Sequence, residues 1–331
     1  MPYSLPTLQA AARTVHAAMP ATPQYRWPLL EAGFRAAPGD ATEVWLKHEN
    51  HTPVGAFKIR GGLVFFDRLM AQSGARPLGV VSATRGNHGQ SMAFAAARHG
   101  VAVAIVVPHG NSREKNAAMR ALGAELIEHG DDFQAAREHA QALATQRGWV
   151  MAPAFHPDLV AGVASYALEL FAAAPGLDRV YVPIGMGSGA CALIAARDAL
   201  GLIATQIIGV VSSGAPAYAL SLAQGRAVSH AVTTQLADGM ACRTPDPDAL
   251  EMLQSGLARV VAVSDAEVAA AMVRLFEATH QVTEGAGAAA LAAAWGERTQ
   301  LAGLRCALVL SGGNVDRDVF AGVLANQLFQ A

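Results

Sequence analysis

The sequence carries little charge for its size, which excludes several classes of partner. Only 15% of its 331 residues are charged, and the formal net charge is −2 at pH 7. The charged residues are spread along the chain without a long block of one sign. A protein that holds nucleic acid or an anionic membrane by broad electrostatic attraction needs a basic surface. We therefore expect neither partner.

Cysteine is also scarce, and this bears on the cellular compartment. The three cysteines, Cys191, Cys242 and Cys306, lie far apart and form no CxxC pair. Their spacing argues against a disulfide framework and a cysteine-based zinc site, and it fits a reducing compartment. The N-terminus lacks a basic stretch before an apolar core, and the strand VAVAIVVP is too short to cross a bilayer. We expect a cytoplasmic protein.

Apolar residues, in contrast, make up 52% of the chain, and their pattern predicts the fold class. Short apolar strands alternate with helical stretches, which is typical of parallel sheets with helices on both faces. The predicted strands are 43–49, 78–83, 101–108, 124–130, 149–153, 179–184, 206–211, 258–265 and 305–313, and the predicted helices are 7–18, 86–100, 112–123, 131–148, 160–173 and 266–280, with a further helix after the glycine loop at 185–189.

We expect these elements to form an α/β protein with two parallel-sheet subdomains. The smaller subdomain is predicted over residues 75–154. The larger one combines residues 1–74 with residues 155–331. The total length allows one large domain or two closely associated ones.

A glycine-rich loop follows the strand at 179–184. The loop consists of Gly185, Met186, Gly187, Ser188 and Gly189, and a helix follows it. Backbone N–H groups in such a loop and at the start of the following helix bind phosphate. The alternative is a tight strand–helix turn without a ligand.

Residues that are absent around this loop indicate which kind of phosphate group it binds. Gly185, Gly187 and Ala190 match a dinucleotide fingerprint, which needs an acidic residue about 20 positions further on. The stretch there, VVSSG (210–214), has no carboxylate, and no GK[ST] follows the loop as a Walker motif requires. A monophosphate ester fits better, while an NAD-dependent oxidoreductase stays as an alternative.

Lys58 is the candidate nucleophile. It stands in PVGAFKIRGG (53–62), an apolar stretch flanked by glycines that we interpret as a turn. Burial there would lower the pKa of the amine and free it to attack carbonyl groups. A nucleophilic amine together with a monophosphate site indicates pyridoxal phosphate held as a Schiff base. The alternative is a solvated surface lysine.

Three further stretches carry candidate residues. In SATRGNHGQ (82–90), the N–H groups of a helix start can bind a carboxylate and the Asn87 amide can donate to a phenolate oxygen. Thr84 or Asn87 acting only as a helix cap is the alternative. Ser311 ends a buried strand, where a hydroxyl can pair with a ring nitrogen or simply begin a turn. Glu284 precedes a helix of small residues, whose dipole it can complement.

Taken in order, these stretches resemble the serine/threonine dehydratase group of fold-type II pyridoxal-phosphate enzymes, whose fold is like that of the tryptophan synthase β subunit. The matching segments are ENHTPVGAFKIRGG, TRGNHGQ, GMGSG, EGAGA and SGGN, between about Thr7 and Asp316. The group includes threonine deaminases, serine racemases and hydroxyaspartate ammonia-lyases. The resemblance implies a homodimer that converts a β-hydroxy-α-amino acid to a 2-keto acid and ammonia by β-elimination.

The resemblance also implies roles for individual residues. Lys58 matches the Schiff-base lysine, and Asn87 matches the amide that contacts the pyridoxal O3′. The loop at 185–189 matches the phosphate cradle, and Ser311 matches the hydroxyl that faces the pyridine nitrogen. The other implied cofactor contacts are Phe57 and Glu284, and the implied substrate contacts are Thr84, Arg85, Asn87 and His88.

Departures from the family pattern set the remaining expectations. Arg85 replaces a residue that is serine in racemases, which argues against the alternative of an amino-acid racemase. Histidine after Asn87 argues against the other alternative, a β-replacement synthase. Ala56 and Gly62 are smaller than usual, which suggests room for an aryl 3-substituent, as in phenylserine. The stretch VVSSGAPA (210–217) lacks the usual metal carboxylate, so we predict no bound magnesium or calcium.

The end of the chain gives one more expectation. The sequence stops shortly after the SGGN segment. The C-terminal regulatory domain of biosynthetic threonine deaminases is therefore not expected, nor is feedback by an end-product amino acid.

Overall fold

The computed structural model describes residues 3–35, 37, 39–72 and 76–329, and it confirms the predicted α/β class with parallel sheets. One sheet has six strands in the order β1-β2-β10-β7-β8-β9, and a second has four in the order β5-β4-β3-β6. Neighbouring strands are parallel except for β1 and β2. The strands are β1 (Gln24–Arg26), β2 (Glu43–His48), β3 (Gly79–Ala83), β4 (Ala102–Val107), β5 (Glu125–Glu128), β6 (Val150–Met151), β7 (Arg179–Pro183), β8 (Gln206–Ser212), β9 (Arg259–Val263) and β10 (Arg305–Leu310).

Helices connect the strands and cover the sheets. They are α1 (Leu5–His16), α2 (Pro28–Ala32), α3 (Lys58–Gln72), α4 (Asn87–His99), α5 (Arg113–Ala121), α6 (Phe133–Arg147), α7 (Pro157–Ala173), α8 (Ser188–Ala199), α9 (Ala217–Gln224), α10 (Pro247–Gly256), α11 (Asp265–Thr279), α12 (Gly285–Gly296) and α13 (Arg317–Leu324). Short 3₁₀ turns occur at 49–51, 238–240 and 298–301.

The predicted elements agree with these bounds to within a few residues, and the missed ones are short or weakly periodic. The missed elements are β1, α2, α9, α10 and α13, together with the long helix α3. The stretch around Lys58 was interpreted as a turn, whereas the turn ends before Lys58, which begins α3. Gly61 lies within α3 and does not end it. A Cβ at this position would lie 2.9 Å from the carbonyl oxygen of Leu159, so the glycine permits close packing of two helices.

The predicted division into subdomains is not tested by these features and stays a prediction. The four-stranded sheet draws all its strands from between Gly79 and Met151, and the six-stranded sheet draws its strands from both sides of that segment. The predicted boundary at residues 74 and 75 lies outside the described residues, as do both predicted chain ends.

A buried ionic network anchors the start of α3. Arg60 is fully buried and donates hydrogen bonds to both carboxylates of the network, with Nε 2.7 Å from Glu49 Oε2 and Nη1 2.6 Å from Glu169 Oε1. Lys47 Nζ lies 2.6 Å from Glu169 Oε2. The two cations balance the two carboxylates, as buried charges require. Because Arg60 is two residues after Lys58, the network fixes the backbone that carries this lysine.

Three of the candidate segments follow the carboxyl ends of parallel strands. The segment with Asn87 follows β3, the glycine loop follows β7, and Ser311 follows β10. Ligands of parallel α/β folds bind at this end of the strands. The topology therefore brings distant sequence segments to one place.

Candidate active site

A cavity of about 990 Å³ lies at these strand ends. It is lined by all the residues predicted to contact the cofactor or the substrate: Phe57, Lys58, Thr84, Arg85, Asn87, His88, Gly185, Met186, Gly187, Ser188, Gly189, Glu284 and Ser311. The structure thus brings the separated motifs together. Their individual roles stay predictions.

Lys58 presents a reactive amine to this cavity. Its Nζ lies 3.1 Å from Ser188 Oγ of the glycine loop and 5.0 Å from the centre of the Phe57 ring. Burial lowers the pKa of Lys58 to about 8, although the charge of Glu284 opposes this effect. A substantial fraction of the amine is therefore neutral near physiological pH and able to act as a nucleophile.

The glycine loop offers backbone N–H groups to an anion. Gly187 adopts a φ of +98°, and a Cβ at Gly185 would lie 2.3 Å from the carbonyl oxygen of Gly239, so both positions require glycine. The Tyr218 hydroxyl donates to the Met186 carbonyl at 3.0 Å. Since α8 begins at Ser188, the N–H groups of its first turn have no partner within the helix.

The segment before α4 is shaped in a similar way. The Thr84 hydroxyl oxygen accepts hydrogen bonds from the N–H groups of Gly86, at 2.9 Å, and Gly89, at 3.3 Å. The capping alternative for Thr84 is thus correct in part, because this oxygen serves the first turn of α4. Asn87 is the first residue of the helix and makes no capping bond, since Gly86 occupies the cap position.

His88 is buried beside Lys58. Its Nε2 has no hydrogen-bond partner among the described residues. Burial, together with the charge of Lys58, lowers the pKa of His88 to about 3. The ring is therefore neutral at physiological pH.

Glu284 does more than face a helix dipole. It stands at the cap position of α12 but makes no side-chain capping bond. Its Oε1 accepts a hydrogen bond from Asn87 Nδ2 at 2.6 Å, and its Oε2 lies 3.0 Å from Lys115 Nζ. Lys115 Nζ also donates to Asp238 Oδ2 at 2.7 Å. Sequence reasoning missed Lys115 and Asp238, which both line the cavity.

One signal for Lys115 was present in the sequence. The chain contains three lysines, Lys47, Lys58 and Lys115, and every other basic residue besides histidine is arginine. In a chain with so few lysines, each one is a candidate for a task that arginine does not perform. No comparable signal distinguishes Asp238 from the other acidic residues.

Ser311 and Arg85 complete the cavity wall. Ser311 is buried, and its carbonyl oxygen accepts a hydrogen bond from the Phe57 N–H at 3.0 Å, which ties the end of β10 to the turn before α3. Arg85 is half-buried and makes no hydrogen bond or ion pair with another described residue. Its guanidinium is available to an anionic ligand.

Ala56 and Gly62 do not line the cavity, contrary to their suggested part in a wide substrate pocket. Ala56 is fully buried and pairs with Gly312 in an isolated β-bridge. A Cβ at Gly62 would lie 2.2 Å from Ser91 Oγ, so this glycine lets α4 approach α3. Their small size serves packing and gives no support to an aryl substrate.

The described residues form neither a metal cluster nor a membrane span. In this part of the chain, no group of three or more His, Cys, Asp or Glu side chains is placed to hold a metal ion. The prediction that no divalent cation binds at 210–217 stays a prediction. No helix in the described ranges is long and apolar enough to span a membrane.

The cavity residues fit pyridoxal phosphate. A half-buried amine of lowered pKa can bond an aldehyde, and the glycine loop, whose shape leaves no room for a Cβ at Gly185, can hold the phosphate. The Asn87 amide and the Ser311 hydroxyl can serve the ring oxygen and the ring nitrogen. Together these features define a class: an α/β enzyme with a lysine-bound, phosphorylated cofactor.

Comparison with known proteins agrees with this class. The chain belongs to the family described as pyridoxal-phosphate dependent enzyme, whose family model matches residues 21–312. This confirms pyridoxal phosphate as the cofactor and excludes the dinucleotide alternative. It also confirms the predicted membership of the serine/threonine dehydratase group, because curated relatives of that group are more than 30% identical.

Two relatives illustrate the match. The L-threonine ammonia-lyase of Geobacter sulfurreducens is 36% identical over 290 residues, which cover 87% of this chain and 71% of that protein. The catabolic L-threonine dehydratase of Escherichia coli is 32% identical over 278 residues, which cover 83% of each chain.

Solved structures share the fold. A threonine deaminase from T.th. superposes with a TM-score of 0.84 at 31% identity and covers 95% of this chain and 99% of that chain. Maize serine racemase superposes with a TM-score of 0.86 at 23% identity and covers 99% of this chain and 98% of that chain, which bears on the fold alone.

Proposed function

We propose that the protein is a dehydratase, or ammonia-lyase, that converts serine or threonine to a 2-keto acid and ammonia. The observation that carries this proposal is the half-buried Lys58 amine of lowered pKa, 3.1 Å from Ser188 Oγ in the glycine loop. The names of the relatives, L-threonine ammonia-lyase and L-threonine dehydratase, support the substrate type.

Each part of the cofactor has a partner in this proposal. Lys58 would bind its aldehyde, the N–H groups of residues 185–189 would bind its phosphate, and Phe57 would pack beside its ring. Asn87, which donates to Glu284, would donate its other N–H to the phenolate oxygen. Ser311 would face the pyridine nitrogen, and this neutral hydroxyl would leave the nitrogen unprotonated. When bound, the cofactor withdraws electrons from the substrate α-carbon.

Proton transfer falls to Lys58. With cofactor and substrate bound, its Nζ would take the proton from the substrate α-carbon, a task that suits a base whose pKa is about 8. The protonated Lys58 amine would then give this proton to the β-hydroxyl, which would leave as water. Ser188, at hydrogen-bond distance from Nζ, keeps the amine oriented during this exchange.

The substrate carboxylate is proposed to bind at the start of α4. The N–H groups of Asn87 and His88 belong to the first helical turn, and the Thr84 hydroxyl lies beside them. Because His88 is neutral, it adds no charge there. The unpaired guanidinium of Arg85 supplies the positive charge that strengthens carboxylate binding.

A panel of 3-hydroxy amino acids tests the reaction and its substrate. Serine, threonine and phenylserine, each in its stereoisomers, are incubated with the holoenzyme, and 2-keto acid and ammonia are measured. We expect release from serine or threonine. Release from phenylserine alone would replace the proposed substrate, and no release from any member would refute the dehydratase. Chiral analysis of unreacted substrate detects racemisation, and the assembly as a homodimer stays a prediction for light scattering to test.

A further inference from the structure

A second lysine beside the cavity has no part in the reaction proposed above. Lys115 lies on α5, and its side chain is 5% exposed. Its Nζ lies 2.7 Å from Asp238 Oδ2 and 3.0 Å from Glu284 Oε2. A Cβ at Gly86 would lie 2.3 Å from Lys115 Cδ, so the backbone before Asn87 packs directly on the lysine stem. The amine is therefore fixed at both its stem and its head.

The carboxylate next to Lys115 controls the orientation of an amide. Asn87 Nδ2 donates to Glu284 Oε1 at 2.6 Å, and Asn87 Oδ1 accepts from Asn314 Nδ2 at 2.9 Å. Asn314 Nδ2 also donates to the Val54 carbonyl at 2.8 Å, and a carbonyl can only accept. These bonds settle which end of each amide is nitrogen. One N–H of Asn87 remains, and Asn87 lines the cavity.

This orientation depends on an ionised Glu284. A carboxylate only accepts hydrogen bonds, whereas a protonated carboxyl also donates. Protonated Glu284 can donate to Asn87 Oδ1 and so favours the flipped amide, which competes with the bond from Asn314. The flipped amide would place its oxygen where Asn87 otherwise offers an N–H.

Lys115 is the group best placed to keep Glu284 ionised. Glu284 is only 2% exposed, and the Lys115 ammonium 3.0 Å away is the cation paired with its Oε2. Burial raises the pKa of Glu284, the charge of Lys115 opposes this rise, and Asp238 adds to it. Lys58, on α3, is the other charged group that faces this carboxylate.

We propose that Lys115 is a positioning residue, which holds Glu284 as a carboxylate so that the Asn87 amide keeps its free N–H directed to the cofactor oxygen. The proposal rests on the proposed function, because that function assigns Asn87 to the cofactor. Lys115 itself touches neither substrate nor cofactor in this account. Its effect passes through Glu284 to Asn87.

The test measures how firmly the holoenzyme retains its cofactor. Wild type, K115M, the double variant K115M/E284Q and the control R147M are diluted, and the visible absorbance of the bound cofactor is followed at several pH values. Arg147 is a matched control because it pairs with Glu125 and does not line the cavity. R147M is expected to retain the cofactor as wild type does.

We expect K115M to bind the cofactor about 10-fold to 100-fold more weakly near neutral pH, as for the loss of a hydrogen bond to a charged group. The defect should shrink as the pH rises, because Glu284 then ionises without help from Lys115. K115M/E284Q should recover affinity, since the Gln oxygen accepts from Asn87 at any pH. A purely structural role for Lys115 predicts neither the pH dependence nor the recovery.

Wild-type retention in K115M, a defect independent of pH, or no recovery in the double variant each overturns the proposal. If K115M does not fold, a comparison of E284Q with E284A tests the proposal instead. E284Q must retain the cofactor better than E284A, because only the Gln oxygen can accept the hydrogen bond from Asn87. The variant K58A distinguishes failure of the proposed function from failure of the role given to Lys115. A visible cofactor band that persists in K58A refutes the proposed function. Loss of that band in K58A, together with an unaltered K115M, refutes only the role of Lys115.

Discussion

Replacing Arg60 by methionine removes the centre of the buried network that supports the start of α3. Besides the two bonds that anchor this helix, Arg60 Nη2 lies 3.0 Å from Glu49 Oε1 and 3.0 Å from Glu169 Oε2. The guanidinium thus binds each carboxylate twice. Methionine fills much of the same volume but leaves Lys47 as the one lysine or arginine beside both carboxylates, with His16 Nε2 2.8 Å from Glu169 Oε1 and the Thr22 hydroxyl 2.5 Å from Glu49 Oε1.

The loss of unfolding free energy in R60M follows from the negative charge that stays buried without a partner. Lys47 Nζ lies 2.6 Å from Glu169 but 4.0 Å from Glu49, so Glu49 is left buried without a close cation. Removal of one partner from a buried ion pair costs about 3–5 kcal/mol. Although burial acts to raise the pKa of Glu169, Arg60 and Lys47 lower it to about 2, which shows how strongly this carboxylate depends on its partners.

Urea unfolding of the holoenzyme, followed by circular dichroism, measures this cost. We expect R60M to lose about 3–5 kcal/mol of unfolding free energy. The control R147M removes an exposed ion pair and should lose about 0–1 kcal/mol. A double variant, R60M/E49Q, restores equal numbers of opposite charges and should recover part of the loss. A loss below about 1 kcal/mol in R60M would refute the reasoning from buried charge.

The remaining predictions concern the cofactor and metals. G185A should weaken cofactor binding at least about 10-fold, because the new Cβ would meet a backbone oxygen and overpacking costs about 1–3 kcal/mol. G296A, where a Cβ meets nothing within 4 Å, should not weaken it, and equal affinities of the two variants would contradict the role given to the loop. The rate at which apoprotein captures the cofactor should rise with pH through about 8, since the neutral Lys58 amine is the nucleophile; a rate that is flat across this range would contradict it. Treatment with a chelator should leave keto-acid release unchanged, whereas a loss restored by magnesium or calcium would disprove the absence of a cation site.

Most of the fold could be predicted from the sequence because buried parallel strands have a recognisable apolar pattern. Strands such as β4 (Ala102–Val107) and β10 (Arg305–Leu310) are continuous apolar runs, so their positions follow from composition. Helix α3 could not be predicted in this way, because a pair of glycines such as Gly61 and Gly62 usually marks a turn. These two positions are glycine because other helices approach closely there, and a single sequence does not show which segments will meet.

Site residues could be predicted from the sequence where they belong to a short local motif. The glycine loop, Lys58 and Ser311 each stand in a recognisable segment, and the order of strands brings these segments to one end of the sheets. Lys115 lies 2.7 Å from Asp238 and 3.0 Å from Glu284, and a single sequence does not show that these three residues meet. Ala56 and Gly62 illustrate the opposite error, because a departure from a family pattern was taken as a property of the substrate pocket.

The most direct test of the account asks which lysine carries the cofactor. Borohydride reduction fixes the cofactor to its lysine, and peptide mass spectrometry then identifies the labelled residue among Lys47, Lys58 and Lys115, the only lysines of the chain. The account predicts a label on Lys58 in the wild-type holoenzyme and none in K58A. A label on Lys115, or a labelled K58A protein that still releases keto acid, would contradict it.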